Sequence, residues 1–465
     1  MEKPLIIGIT ASPRSVLRNE NIESIFDSVS DELELKSLLQ ELGHFKRKIS
    51  NSDGALIAAF FGAKHFKSDF LLFNLQDAFN LSNNKNLTKS LQNKELLFKS
   101  IKKADGIIIS TPVFFGDCSS YVYELLGIIN EEEYAILNDK IVGVLSSGAK
   151  RNGGQETTNI FTLCEFFRMG ANIIGNGPPT SQFGGTIWAG DKGEIGEDSL
   201  GIETAVGTGK KMGEILNIFN LYNNNNKSGE SFVDIYLNLA LILPAKELLS
   251  ERMKQEIEKL IQKIFNDTFG KNKISLKINY IEIYGNDIKK CLGCNKCPPP
   301  KNNFNCIIDD KINSIRNVLL NSDSILFVNY LKNNRNIETW INFKVFFERT
   351  RHLRHNNFEL TNKPVGIITL IDGDYMLKPN SIDIKFITYF LRHNTICVGP
   401  PVFAVTDNTF ELSNITGQFN KKFYDSSKTM LSKLLKLSHI MKTTGYKNSK
   451  IPLYIPYGFG KFKNH

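Results

Sequence analysis

Gly106-Ile107-Ile108-Ile109-Ser110-Thr111-Pro112-Val113-Phe114-Phe115-Gly116 reads as an apolar strand that stops at Thr-Pro and opens into two aromatics and a glycine. Proline fixes the exit of the chain, the aromatics offer a face, and glycine lets the backbone approach closely. A helix is expected next, from Ser119 to about Ile129. Loops of this kind stand at the carboxyl ends of strands in open α/β sheets, where ligands bind. The stretch therefore predicts a parallel sheet with a rim loop suited to a flat conjugated ring.

The flanking sequence repeats the alternation. Pro4–Thr10 predicts a first buried strand, followed by the turn Ala11-Ser12-Pro13-Arg14. Apolar positions at Ile22, Ile25, Phe26, Val29, Leu33, Leu38 and Leu42 have helical spacing and predict a helix over 21–42. Ile49-Ser50-Asn51-Ser52-Asp53 opens a second helix running to Ala63, with three N-cap residue types together. Further strands are expected at Asp69–Leu75, Lys140–Leu145 and Ala171–Ile174, with a helix at Thr157–Met169. Strands alternating with helices predict a doubly wound parallel sheet, a three-layer α/β/α domain.

An Asn-rich stretch within 221–230 predicts a linker (223–230), and beyond it the pattern restarts. Asp105-Gly106-Ile107 is echoed by Asp323-Ser324-Ile325, and Lys140-Ile141-Val142-Gly143 by Lys363-Pro364-Val365-Gly366. Phe167-Arg168, with Gly-Pro-Pro at 177–179, is echoed by Leu391-Arg392 and Gly399-Pro400-Pro401. The offsets are 218 (105 to 323), 223 (140 to 363) and 224 (168 to 392) residues. Three echoes at nearly one offset predict tandem copies of one fold, over 1–222 and 231–445, with a tail at 446–465.

At 465 residues the chain is long enough for two cores. No apolar run reaches the ~18 residues that span a bilayer. Met1-Glu2-Lys3-Pro4 leads straight into a strand without a secretory pattern. Seven cysteines, four of them clustered, point away from a disulfide framework and towards the cytosol. A dispersed net charge of +9, with no basic stretch interleaved with aromatics, argues against nucleic acid. The densest basic run, Arg349-Thr350-Arg351-His352-Leu353-Arg354-His355, reads first as favourable charge at a helix C-terminus.

Three loops of the first copy carry hydroxyls, amides and glycines where a flavin mononucleotide needs them. Ser12 and Arg14, with Ser50, Asn51 and Ser52 at a helix N-terminus, suit a phosphate. Pro112, Val113, Phe114, Phe115 and Gly116 suit one side of the ring. Ser146, Ser147, Gly148, Gly153, Gly154 and Gln155 can present backbone donors to its polar edge. Thr-Pro-Val-Phe-Phe-Gly, the later Gly-Gly-Gln-Glu-Thr-Thr and the Ser-Pro-Arg…Ser-Asn-Ser pieces resemble the NADPH-dependent FMN reductases and related NAD(P)H:quinone oxidoreductases, which are flavodoxin-like. The resemblance covers about residues 4–220 and implies FMN, with NAD(P)H as hydride donor. One departure is the insertion 15–49, which must loop out for Arg14 and Ser50 to meet.

The second copy lacks the cradle. Its first loop is Leu243-Pro244-Ala245-Lys246-Glu247-Leu248, and Tyr330–Arg335 and Ile371–Tyr375 stand where the ring loops should be. It gains Cys291, Cys294, Cys297 and Cys306, a C-x2-C-x2-C-x8-C run that can bind an iron–sulfur cube, bind zinc, or remain metal-free. Ile288–Asp310, together with Phe346-Phe347-Glu348-Arg349-Thr350, resembles the iron–sulfur flavoproteins. That resemblance implies a 4Fe-4S cluster on the four cysteines. Cys118, Cys164 and Cys397 stand singly and read as small buried hydrophobes.

The expectation is an FMN oxidoreductase passing single electrons through a cluster to a small-molecule or protein acceptor, in a chain that can form homo-oligomers. One alternative is a quinone or flavin reductase whose second domain is a metal-free pseudo-partner. The other is a non-catalytic electron carrier or scaffold. No side chain is expected to act as a catalytic acid or base, because the cofactor carries the chemistry.

Overall fold

The structure is a computed structural model. It describes residues 3–445 apart from 18–24, 26–28, 45–47, 80–86, 133, 179, 189, 228–234, 271–272, 295, 298–304, 333–336, 356–357, 373–379 and 407–417. The chain divides into two compact units, Met1–Leu221 and Tyr222–His465.

In the first unit five parallel strands run β1 (Leu5–Thr10), β2 (Asp69–Asn74), β3 (Gly106–Pro112), β4 (Ile141–Gly148) and β5 (Asn172–Ile173). Hydrogen bonding places them in the order β2-β1-β3-β4-β5. This is the flavodoxin-like order, with its switch point between β1 and β3. The strands read as continuous apolar runs because helices cover both faces; Ile6, Ile7, Ile9 and Ile109 are wholly buried. The fifth strand is interrupted. After β5 the chain leaves the sheet and returns as β6 (Gly185–Trp188), which pairs with the upper part of β4.

Helices follow the predicted alternation. The insertion contributes α1 (Glu32–His44), and α2 (Asn51–Lys64) is buried along almost its whole length. Then come α3 (Leu75–Phe79), α4 (Leu87–Lys103), α5 (Ser120–Glu132), α6 (Gln155–Arg168) and α7 (Ser199–Lys227). The predicted linker needs correction. Asn223, Asn224, Asn225 and Asn226 continue α7 as far as Lys227, so a poor intrinsic propensity is overridden by an established helix. Residues 228–230 of that expectation lie outside the described residues, as do 21–24 and 26–28 of the predicted helix 21–42 and all of the tail 446–465; residues 29–31 of that prediction are not helical, and α1 begins only at Glu32.

The second unit repeats the plan. Its strands are β7 (Ile235–Leu243), β8 (Ile274–Glu282), β9 (Ser324–Lys332), β10 (Pro364–Asp372) and β11 (Ile396–Val398). They pair in parallel in the order β8-β7-β9-β10-β11. Here too the last strand is split, since β12 (Val402–Thr406) pairs with the upper part of β10. The duplication predicted from three sequence echoes is therefore a duplication of topology. Helices α8 (Glu251–Phe269), α9 (Ile312–Asn321), α10 (Ile337–Arg349), α11 (Arg351–His355), α12 (Asn380–Leu391) and α13 (Gln418–Thr443) complete the unit. No helix among the described residues is long and apolar enough to cross a membrane.

Candidate functional site

At the carboxyl end of β1, Ser12 is buried and its hydroxyl accepts from the backbone N–H of Arg14 at 3.2 Å, while the Arg14 side chain is exposed. Ser50 is the N-cap of α2. Its hydroxyl accepts from the Asp53 N–H at 3.1 Å, and its own N–H donates to Asp53 Oδ2 at 3.3 Å, a reciprocal capping box. The same Oδ2 accepts from the N–H of Val16 at 3.1 Å. Asp53 thus joins the two ends of the insertion and brings the Ser12–Arg14 turn to the start of α2. Its carboxyl is pushed above the ordinary range by burial, against hydrogen bonds from Ser15, Val16 and Ser50 that pull the other way. A carboxyl that resists ionisation repels a neighbouring phosphate less than a free carboxylate does.

Two predicted phosphate residues are occupied elsewhere. The Asn51 amide donates to the Asp191 carbonyl at 2.8 Å and accepts from the N–H groups of Gly193 and Ile195, which fixes the 191–195 turn. That turn also supports α1, where Gly43 packs backbone to backbone against Gly193 and Gln40 donates to Glu197 at 2.8 Å. The Ser52 hydroxyl meets the Ser147 hydroxyl at 2.8 Å, and the Ser52 carbonyl accepts from Ser110 at 2.8 Å. What this corner offers an anion is chiefly the N-terminus of a 14-residue helix, whose macrodipole favours negative charge.

The two ring loops meet. Val113 N–H donates to the Ser147 carbonyl at 3.0 Å, and Thr111 Oγ1 accepts from the N–H of Ser119 at 2.9 Å. Phe114 and Asp117 exchange backbone hydrogen bonds at 2.8 and 3.0 Å, which closes a tight turn. Phe115 at its tip is fully exposed with φ 55°, and Phe114 is half-exposed. Gly154, at φ 99°, lies so close to the turn that a Cβ there would stand 2.8 Å from the Cα of Gly116. On the far side of Gly116, nothing lies within 4 Å of where a Cβ would project.

Gln155 folds the second ring loop rather than reaching outward. Its Oε1 accepts from Gly153 N–H at 2.8 Å, and its Nε2 donates to the carbonyls of Lys150 at 2.7 Å and Ile187 at 3.2 Å. The wholly buried Ser146 donates to the Gln155 carbonyl at 2.8 Å, and Gly148 lies against the Gln155 side chain. Sequence reasoning missed the flank of this loop. The half-exposed Trp188 donates to the Ala149 carbonyl at 3.1 Å, the guanidinium of Arg151 lies 5.5 Å from its ring, and Arg151 is ion-paired to the buried Asp198. The isolated Trp188 on a four-residue strand was the only available signal.

A rim with an exposed aromatic, open space beside Gly116, a helix N-terminus and a hydroxyl-lined floor fits FMN.

In the second unit, Cys294 is exposed and Cys291, Cys297 and Cys306 are half-buried. Burial first, then the charges of Cys306, Cys291 and Cys294, push the Cys297 thiol up, while Arg351 pulls it down. The thiols therefore share one electrostatic neighbourhood. Arg349 fixes both ends of their loop, donating to the Lys289 carbonyl at 2.6 Å, the Ile308 carbonyl at 3.5 Å and Cys306 Sγ at 3.4 Å. Four sulfurs suit a thiophilic metal. As placed, however, no three His, Cys, Asp or Glu side chains among the described residues converge to hold an ion. Pro298–Pro300 of the run lie outside the described residues, and so do 333–335 and 373–375 of the degenerate loops. Cys118, Cys164 and Cys397 are buried, and burial pushes the Cys118 thiol up to about 12.

The strand order and the loops at the ends of β1, β3 and β4 define a flavodoxin-like α/β protein. Residues 45–178 match the model of the NADPH-dependent FMN reductase family. An iron–sulfur flavoprotein of Methanocaldococcus jannaschii is 37% identical over 124 residues, which is 26% of this chain and 64% of that protein. The iron–sulfur flavoprotein of Methanosarcina thermophila is 30% identical over 126 residues, 26% of this chain and 61% of that protein. The chain thus spans less than two thirds of the length of either relative. Among solved structures, an oxidoreductase of Corynebacterium diphtheriae aligns at TM-score 0.30 and 16% identity, covering 44% of this chain and 98% of that one. RosB aligns at TM-score 0.29 and 14% identity, covering 50% and 89%. The fold assignment rests on the strand order itself rather than on these scores.

Proposed function

We propose that the chain is an NAD(P)H-dependent FMN oxidoreductase whose second unit holds a 4Fe-4S cluster on Cys291, Cys294, Cys297 and Cys306. The observation that carries the flavin reading is the meeting of the two ring loops at Gly116 and Gly154. FMN, when bound, supplies hydride acceptance and the conversion of two-electron to one-electron transfer. The N-terminus of α2 receives its phosphate, with the Asp53 carboxyl, raised by burial, in the first turn of that helix. Phe114 and Phe115 cover one side of the ring, and the 147–154 backbone faces its polar edge. Ser12, Ser50, Asn51, Ser52, Ser147 and Gln155 hold these loops in register, and Arg14 is left to meet the ligand from the surface.

The cluster reading is supported by the cysteine spacing, by the shared field at Cys297 and by the names of the two relatives. Seven free cysteines suit a reducing cytosol. The alternative is a quinone or flavin reductase whose second unit is a metal-free pseudo-partner.

Absorbance of anaerobically purified protein separates these readings. Flavin bands with a broad shoulder near ~400 nm that bleaches on reduction support the cluster. Flavin bands alone, with NADPH oxidised in the presence of a quinone, support the second reading. A colourless chain that does not take up FMN defeats both and leaves a non-catalytic carrier or scaffold.

A further inference from the structure

The basic run that follows α10 does more than neutralise a helix end. Arg351 and Arg354 line a cavity of about 410 Å³ together with Arg392, which follows α12, and with Cys291 of the cysteine loop. One wall is a pair of stacked rings, Phe347 and Tyr389, with centroids 4.5 Å apart and planes 11° apart. Three guanidinium groups line it, and Glu348 on the same lining has Lys344 at 3.7 Å.

The positive field registers on the neighbours. Burial, and after it the charges of Arg351 and Arg354, push His355 down to about 4. Burial, then Arg354, His352 and Arg392, push His393 down to about 3. Beside the cavity, Lys385 lies 3.7 Å from the Trp340 ring centroid, and its ammonium is pushed down by burial and by Lys344. His393 lines the cavity and is 5% exposed, and its Nδ1 has no hydrogen-bond partner among the described residues. Cations at the C-termini of α10 and α12 would be explained by the helix macrodipole alone. A cavity of ligand size, walled by a ring stack and lined by three guanidinium groups, is not explained by it.

We propose that this cavity binds a small oxyanion-bearing molecule, with its phosphate or carboxylate group held by Arg351, Arg354 and Arg392 and its body lying against the Phe347–Tyr389 stack. All its lining residues belong to the second unit, Cys291 of the cysteine loop among them, and the proposal does not rest on the flavin reading.

The test is calorimetric titration of the full chain with inorganic pyrophosphate and, separately, with citrate. Saturating FMN is present throughout to fill any phosphate site in the first unit. At least one of the two anions should bind, and Arg354→Gln and Arg392→Gln should each weaken it about tenfold or more, as expected for lost charge-assisted hydrogen bonds. Circular dichroism confirms that the variants are folded. If both fail to fold, Arg351→Gln, whose side chain is exposed, serves for the same comparison. Pyrophosphate alone binding assigns a phosphate ligand; citrate alone assigns a polycarboxylate. Binding of neither, or binding that persists unchanged in the folded variants, overturns the proposal.

Discussion

The guanidinium of Arg349 grips the carboxylate of Asp310 through two hydrogen bonds, Nη1 to Oδ2 at 2.6 Å and Nη2 to Oδ1 at 3.0 Å, with both side chains buried. The pair joins the end of α10 to the end of the cysteine loop. Burial alone would raise the Asp310 carboxyl, but hydrogen bonds from Arg349, Lys289 and Ile312 hold it below the ordinary carboxylate range.

Breaking this pair should be costly. Arg349→Gln leaves a buried carboxylate uncompensated, so a loss of about 3–5 kcal/mol is expected in urea denaturation. Arg349→Met combined with Asp310→Leu should cost much less. Because the folded Asp310 is depressed, its contribution is present above the unfolded value and is lost as pH falls through the folded one. Equal losses in the single and double variants would count against this account.

Gly154 and Gly116 both have positive φ but differ in surroundings, which separates backbone strain from steric contact. Gly116→Ala meets open space and should cost about 1–2 kcal/mol from the left-handed backbone alone. Gly154→Ala drives a methyl into the facing turn and should also weaken FMN binding about tenfold or more, read by quenching of flavin fluorescence. Unchanged FMN affinity in Gly154→Ala would remove the ring-loop contact from the site.

Asp53 makes stability depend on pH with the opposite sign to Asp310. Its folded pKa is raised, so ionisation costs more in the folded chain than in the unfolded one. Stability should fall as pH rises from the unfolded value through the folded one, by about 1.4 kcal/mol for each unit of elevation. Asp53→Asn retains an acceptor for Val16 and Ser50 and should abolish this decline. Urea midpoints collected between about pH 4 and pH 8 decide the matter; a variant that follows the parent curve refutes the assignment.

Cys294→Ser tests the division of labour between the units. Iron content and the reducible shoulder should disappear, while flavin content stays at the parental level. Loss of flavin and iron together would mean that the two sites are one.

Most of the fold could be read from the sequence because parallel strands covered on both faces are continuous apolar runs, and Gly106–Ser110 and Lys140–Leu145 are short and cleanly bounded. The split last strands were missed. Gly185–Trp188 and Val402–Thr406 are too short for a periodic signal, and only their pairing with β4 and β10 defines them. At the site, the residue types in Ser50-Asn51-Ser52 marked a helix start, but the partner of each side chain depends on remote contacts. Asn51 reaches 191–195, and Ser52 reaches Ser147. Arg349 and Asp310 were both noticed, but 39 positions apart nothing local tells that they join.

One oxygen of Asp53 receives the N–H of Val16 and the N–H of Ser50. The polypeptide therefore departs and re-enters at a single point, whatever happens in between. Closing a longer or shorter excursion there changes the entropy only logarithmically. An exchanged segment would therefore start and finish at the same carboxylate, but it would also have to replace the wholly buried Leu35 and Leu39 and the seat of Gly43 on Gly193.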